Sequence, residues 1–263
     1  MNAPFMGISS DVRSMVSAEE WEARVNLAAA YRLMDHFELT DLISSHVSVR
    51  VPGKHDEFLI NPYGLLYSQI TASCLIRLDL QGRELFNPTG SYNVNESGFA
   101  IHSAVHAARP EVDCIIHAHT LSGMAVASME CGLLPIAQMS MRWAKGVSYH
   151  DYESIVDANE MDVMVKALGN NDVMILRNHG LLTCGRSIPE CFNNMFWLKR
   201  SCDLQVMALS CNVKLRTVSD AVVDKTWSAY QPGGRRHNQQ RRGLLEWPAL
   251  LHELDRKDPS YKT

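Results

Sequence analysis

The residue types in this chain best suited to chemistry are its histidines, 11 among 263 residues. His117 and His119 flank Ala118 near the end of a strand-like run, 112–119. Alternate residues of a strand face the same side, with Cα atoms ~6.6 Å apart. Two imidazoles so placed converge either on one metal ion at ~2.0–2.1 Å or on each other as a hydrogen-bonded pair. His179 lies in Arg177-Asn178-His179-Gly180, directly after a second apolar run, Asp172 to Leu176. Gly180 is expected to permit a sharp turn that exposes the imidazole. Strand ends at the open edge of a sheet are where ligands bind in α/β folds. This third histidine favours the metal reading. Three protein ligands with open positions form a catalytic arrangement, because the open positions take water or substrate.

His102 and His106 are four apart on an expected helix, the spacing of a zincin motif, but Ser103 stands where that motif has its glutamate. They are expected to be polar-face or interface histidines. The sequence has no G-x-G-x-x-G, no phosphate-binding Gly-Lys-Ser/Thr and no G-x-S-x-G. Its seven cysteines are odd in number and show no C-x-x-C spacing. A disulfide framework or thiolate zinc site is therefore not expected, and most should be small buried hydrophobes.

The elements that must position these residues follow from periodicity. Ser17 and Glu20 fit a capping box, and Trp21, Val25, Ala28, Ala29 and Leu33 continue it as a helix to about Phe37. In His46 to Val51 the valines alternate with polar residues, the pattern of a half-buried strand. Short strands are expected at 58–60 and 75–80. Asn93 to Ala108 reads as a helix with Pro110 beyond its end. Residues 121–129 and 155–168 read as helices, and Leu181 to Cys184 as a strand after the Gly180 turn. Ser187 and Glu190 form a second capping box, with Pro189 suited to the first turn, opening a helix to about Ser210. Gln231 to Gly243 is a basic linker or mobile loop, and Leu244 to Leu254 a last short helix. The division expected is a flexible lead over 1–16, one α/β domain over 17–230 with its sheet covered by helices, and a basic linker with a C-terminal helix over 231–263.

Lys plus Arg is 25 against 29 for Asp plus Glu, a net charge of −4, which gives no electrostatic argument for nucleic acid or an anionic membrane. Hydrophobic residues at 46% and charged residues at 21% suit a soluble globular protein. No apolar run approaches the ~18 residues of a membrane span. The first residues lack the basic start and apolar core of a signal peptide, so a cytoplasmic location is the default expectation.

Taken in order, several stretches resemble the class II aldolase/adducin family. They are the helix at 18–37, Ser44 to Val49, Phe58 to Leu65, His102 to Pro110 running into His117-Ala118-His119, Tyr149 to Tyr152, and Asn178 to Leu182. The ending, Glu246 to Leu251 with Leu254 to Arg256 and Asp258 to Tyr261, looks like that of many bacterial members. The resemblance implies a single-domain α/β/α sandwich around a mostly antiparallel central sheet, and a homotetramer with active sites between subunits. It implies His117, His119 and His179 as ligands of a divalent metal, zinc first and manganese, cobalt or iron as alternatives. In the lyases of this family the metal is a Lewis acid that stabilises an enolate.

Departures from the family pattern narrow the chemistry. Sugar-phosphate aldolases carry Ser-Ser-Glu before the helix leading to H-x-H, the glutamate being the acid/base. Counting back from His117, that position is Gly98, and the two serines fall on Glu96 and Ser97. Glu96 is the nearby candidate substitute. The phosphate-pocket positions are Ser45-His46 and Tyr63-Gly64, and a carboxylate at Glu96 would repel a phosphate dianion. The tyrosine a neighbouring subunit contributes in sugar aldolases falls near Met139. With His46 and Tyr63 adding aromatic surface, the resemblance implies a small oxo-, hydroxy- or aromatic acid bound by Ser45, Tyr63, Gly64 and Ser97. The proton would come from His46, Tyr149 or a metal-bound water, with Glu96 kept as a candidate.

The leading expectation is a metal-dependent carbon–carbon lyase, a decarboxylase or non-phosphate aldolase. The missing glutamate favours decarboxylation, which needs no base to deprotonate a hydroxyl. A non-haem iron oxygenase acting on an aryl 2-oxo acid is the second reading, although its common triad is two histidines and a carboxylate. The third is a binding module like the adducin head, which is non-catalytic and lacks the metal histidines that this chain retains.

Overall fold

The computed structural model describes residues 11–151, 158–234 and 242–263. Part of the expected N-terminal lead, the start of the helix at 155–168 and most of the basic stretch lie outside the described residues. In chain order the helices are α1 Val12–Met15, α2 Ala18–His36, α3 Glu96–Ala108, α4 Leu121–Ala127, α5 Gln138–Met141, α6 Ala158–Leu168, α7 Ile188–Ser210, α8 Asp220–Tyr230 and α9 Trp247–Lys257. The strands are β1 His46–Arg50, β2 Glu57–Ile60, β3 Ile76–Asp79, β4 Glu84–Phe86, β5 Cys114–Ala118, β6 Val147–His150, β7 Val173–Leu176 and β8 Gly180–Gly185.

The eight strands form one sheet in the order β4-β3-β2-β1-β5-β8-β7-β6. Every pairing is antiparallel except β6 with β7, which is parallel, so the sheet is mixed. One face packs Val47, Val49, Cys114, Ile116 and Ala118 against α2, α7 and the C-terminal Trp247, Leu254 and Tyr261. The other face packs Ile115, Met174, Leu176 and Leu182 with Ile101 and Val105 of α3 and Met164 and Leu168 of α6. Helices on both faces make the α/β/α sandwich.

Burial on both faces corrects one expectation. The β1 residues His46 to Arg50 are all buried. The valines enter one core, and the intervening His46, Ser48 and Arg50 face the α3 side, where a helix replaces solvent. Alternation shows which residues share a face; it does not show that the second face is wet.

Local signals place the helices. Ser17 Oγ accepts the Glu20 N–H at 3.1 Å and starts α2. Glu20 does not complete the expected box: its carboxylate is buried and pairs with Arg24 at 2.9 Å and Arg77 at 2.7 Å. Asn95 caps α3, accepting from Ser97 N–H at 3.2 Å, so the helix begins after the expected Asn93. α9 begins at Trp247, where Pro248 suits the first turn, rather than at Leu244. Cys74, Cys114, Cys184, Cys191 and Cys202 are buried free thiols, while Cys131 and Cys211 are exposed. Strands β4 and β6 and helices α1, α5 and α8 are additions to the elements expected, α1 lying within the expected flexible lead.

Candidate metal centre

β5 and the turn between β7 and β8 bring three histidines together. Their ligating atoms all lie within 4.8 Å of one another. His117 Nε2 and His119 Nε2 are 2.8 Å apart. The other ring nitrogens are engaged outside the cluster. His117 Nδ1–H donates to the Leu181 carbonyl at 3.0 Å, which leaves Nε2 with its lone pair. His119 Nδ1 faces the Asp41 carboxylate at 3.4 Å. Carbonyl and carboxylate partners of this kind fix the tautomer of metal-binding histidines and aim the free nitrogen inward.

Burial keeps these rings neutral. Desolvation holds His117 well below the ordinary histidine value, with the neighbouring His46, His119 and His179 adding to the effect. His179 is pushed down to about 4, first by burial and then by His119 and His150. His119 is lowered by burial, against the opposing pull of Asp41. Neutral imidazoles are the ligand form, since a metal ion competes with protons for these nitrogens. The donor set fits a divalent transition metal.

Two backbone features make the cluster possible, and one differs from expectation. The left-handed residue in the β7–β8 turn is Asn178, with φ +55°, not Gly180. Asparagine tolerates that region better than most side chains. Gly180 is required for close approach: a Cβ there would lie 2.7 Å from the Ala118 carbonyl oxygen and 3.0 Å from His119 Cδ2. The absent side chain lets β8 lie against the H-x-H strand.

His46 sits beside the triad. It is the register partner of His117 across β1 and β5, with ring centroids 5.0 Å apart. Its Nδ1 is 2.8 Å from His102 Nε2. His102 Nδ1 is 2.5 Å from Ser48 Oγ, which is 2.8 Å from His106 Nε2. His102 and His106 are therefore not polar-face residues. They are fully buried on the sheet side of α3. Burial holds His46 and His102 well below the usual range and pushes His106 down to about 3.

The same geometry accounts for Gly98. A Cβ there would lie 2.5 Å from His46 Cδ2 and 2.7 Å from His46 Nε2. The His46 ring fills the space into which a side chain at position 98 would project. Glycine on α3 and histidine on β1 are thus two halves of one packing solution.

A cavity of about 210 Å³ opens on the triad, lined also by Asn95, which caps α3, by Ser97 in its first turn, and by His150, Glu160 and Arg177. Ile101, Met164 and Leu176 form its apolar wall. Ser97 Oγ donates to Asn95 Oδ1 at 2.8 Å. Ser45 is buried below the triad and its Oγ accepts the His119 N–H at 3.4 Å. Five expected site residues do not line the cavity, Ser45 among them. Glu96 is exposed in the first turn of α3. Tyr63 is 43% exposed, and Gly64, at φ +115°, faces the Tyr92 ring. Tyr149 is turned to the opposite face of β6, where its Oη accepts the Leu133 N–H at 3.0 Å and its ring stacks under Arg177 at 4.4 Å.

The next strand residue, His150, is the one that faces the cavity, as period two requires. Its Nε2–H donates to Glu160 Oε1 at 3.4 Å. Glu160 is 7% exposed, and its Oε2 has no hydrogen-bond partner among the described residues. Neither residue was among the expected site residues. Reading 147–150 as a strand would have separated His150 from Tyr149. Glu160 shares a helix face with Met164, but its nearness to the histidines depends on how α6 docks.

Residues 25–206 match the family described as Class II Aldolase and Adducin N-terminal domain. A Pseudomonas aeruginosa protein provisionally named an aldolase class 2 protein is 43% identical over 256 residues, covering 97% of each chain. A crystal structure of an aldolase II superfamily protein from Pseudomonas syringae is 42% identical, superposes with a TM-score of 0.88 and is matched over 96% of this chain and all of that one. An L-fuculose 1-phosphate aldolase from Glaciozyma antarctica is 26% identical at TM-score 0.81, covering 94% of both chains. Rat alpha-adducin is 45% identical over 189 residues, which are 71% of this chain and 26% of the adducin. Family match, near full-length relatives and superposable fold agree: this chain belongs to the class II aldolase and adducin family.

Proposed function

We propose that the protein is a divalent-metal-dependent carbon–carbon lyase acting on a small oxo-, hydroxy- or aromatic carboxylic acid. The observation that carries this reading is the triad of neutral imidazoles His117, His119 and His179, with Leu181 and Asp41 as outer partners. These three residues would hold the ion, zinc being the first choice for nitrogen donors and manganese, cobalt or iron the alternatives. When bound, it would polarise a substrate oxygen and stabilise negative charge left by bond cleavage.

The chain's own residues do the rest. Ser97 and Asn95 line the cavity and offer hydrogen bonds to a ligand there. Ile101, Met164 and Leu176 exclude water from an apolar substrate portion, a surface that replaces the aromatic one expected from Tyr63. In this reading His46, hydrogen-bonded to His102 and packed beside His117, is the proton donor. A phosphorylated sugar fits poorly, because the cavity holds the buried carboxylate of Glu160. The working unit in this reading is a homotetramer. Supporting it, Leu42 and Leu121 are 75% and 84% exposed on a cleft that also includes His119.

The alpha-adducin likeness favours a second reading, a binding module with an idle site. Zinc- and manganese-loaded protein screened against 2-oxo, hydroxy and aromatic acids, with carbon dioxide and aldehyde release as readouts, separates the two. Turnover by the wild type and none by His179→Ala supports the lyase. Metal binding without turnover of any class supports the module.

A further inference from the structure

Two histidines and a serine form a buried chain behind His46. His102 Nε2 lies 2.8 Å from His46 Nδ1, and His102 Nδ1 lies 2.5 Å from Ser48 Oγ. Ser48 Oγ lies 2.8 Å from His106 Nε2. All three residues are buried, and His106 Nδ1 at the far end has no hydrogen-bond partner among the described residues. Burial also keeps the rings neutral, so each holds one hydrogen and one lone pair. The serine hydroxyl has one hydrogen as well. The directions of the three bonds are therefore tied: the rings carry their hydrogens all on Nε2 or all on Nδ1.

Two observations choose the first. Of the two contacts at Ser48 Oγ, that to His102 is the shorter, and O–H donors make shorter bonds than N–H donors. The hydroxyl therefore donates to His102 and accepts from His106 Nε2–H. The reverse direction would also strand an N–H at His106 Nδ1, and orphaned buried N–H groups are rarer than orphaned acceptors. The nearby Val112 carbonyl already accepts from Arg50 Nη2–H at 3.2 Å, and the Arg50 charge favours a bare lone pair on His106. We infer that Ser48 and His106, acting through His102, fix His46 as the tautomer with its hydrogen on Nε2. They are positioning residues, and neither lines the cavity. His46 does, and with Nδ1 taken by His102, Nε2 is the nitrogen it has left for a ligand. In this form His46 offers a hydrogen bond to a carboxylate or carbonyl oxygen. It cannot join the triad as a further ligand, because Nε2 has no lone pair to give. The role of His46 toward a substrate rests on the lyase reading; its tautomer does not.

Long-range proton–nitrogen NMR of zinc-loaded full-length protein, with isotope-labelled histidine nitrogens, locates these hydrogens without any turnover. The signals are assigned by their loss in His46→Gln, His102→Gln and His106→Gln. All three rings should carry hydrogen on Nε2. For His46 that form should be in at least about fivefold excess, because stranding a buried group is costly. In Ser48→Ala, His102 Nδ1 loses its donor, and the excess at His46 should fall about threefold or more. A serine that only packs would lower the melting temperature of Ser48→Ala and leave the His46 tautomer as it was. That outcome overturns the inference, and so does hydrogen on Nδ1 of any of the three wild-type rings. If Ser48→Ala does not melt cooperatively, the wild-type spectrum alone decides. Absence of turnover with any acid would instead sink the lyase reading and leave the tautomer assignment standing.

Discussion

Replacing Gly98 with alanine sets two effects of opposite sign against each other. Gly98 lies in the first turn of α3, where alanine gains at most about 1 kcal/mol in helix propensity. Against that, the new methyl group meets His46 Cδ2 at 2.5 Å, Nε2 at 2.7 Å and Cγ at 3.0 Å, well inside the ~3.5–4.0 Å of favourable contact. Forcing extra carbon into a packed site costs about 1–3 kcal/mol. The ring cannot swing aside freely, because its Nδ1 would leave His102 and strand a buried nitrogen, at about 1–3 kcal/mol. The contest favours a net loss of about 1–3 kcal/mol. In a chain of this size that is a drop in Tm of roughly 3–10 °C. The assay is thermal unfolding followed by circular dichroism, for Gly98→Ala alone and in a His46→Ala background. In the second background the obstacle is gone, and alanine should be neutral or stabilising by up to about 1 kcal/mol. A Gly98→Ala protein that melts higher than wild type would refute the argument that His46 occupies the side-chain space at position 98.

Three other outcomes follow from the geometry. Asp41→Asn weakens the outer partner of His119, so metal affinity should fall about tenfold, read by competition with a chelator; an unchanged affinity contradicts the outer-shell role. Gly180→Ala places a Cβ 2.7 Å from the Ala118 carbonyl, and backbone yields less than a side chain, so its loss of stability should exceed that of Gly98→Ala in denaturant unfolding. Metal-free protein should lose stability as pH falls below about 6.5. His106 has a folded pKa of about 3, so the unfolded chain takes up its proton first. That residue alone withdraws about 2 kcal/mol by pH 5. A urea midpoint that stays flat between pH 7 and pH 5 would contradict the buried neutral state.

How much could be read in advance depended on whether the signal was local. The triad was legible because each member sits at a strand end, where period two and a turn set its direction. The cap at Ser17 was legible for the same reason. What failed needed tertiary contacts. The polar face of β1 reads as solvent-facing until α3 covers it and turns His102 and His106 inward. Gly180 reads as a turn residue, although its constraint comes from β5 across the sheet. Tyr149 and His150 are adjacent, and without the β6 register the sequence cannot tell which one faces the cavity. Glu160 lies 10 residues beyond its partner and meets the triad cavity only through the docking of α6.

The central claim is that the three imidazoles bind a divalent ion. The most direct test is metal content by elemental analysis of untagged protein purified without chelator, for wild type and His179→Ala in parallel. The account predicts close to one zinc or manganese per wild-type chain and near none in His179→Ala, with the variant still folded by circular dichroism. Wild-type protein without metal, and with none taken up on titration, would contradict it.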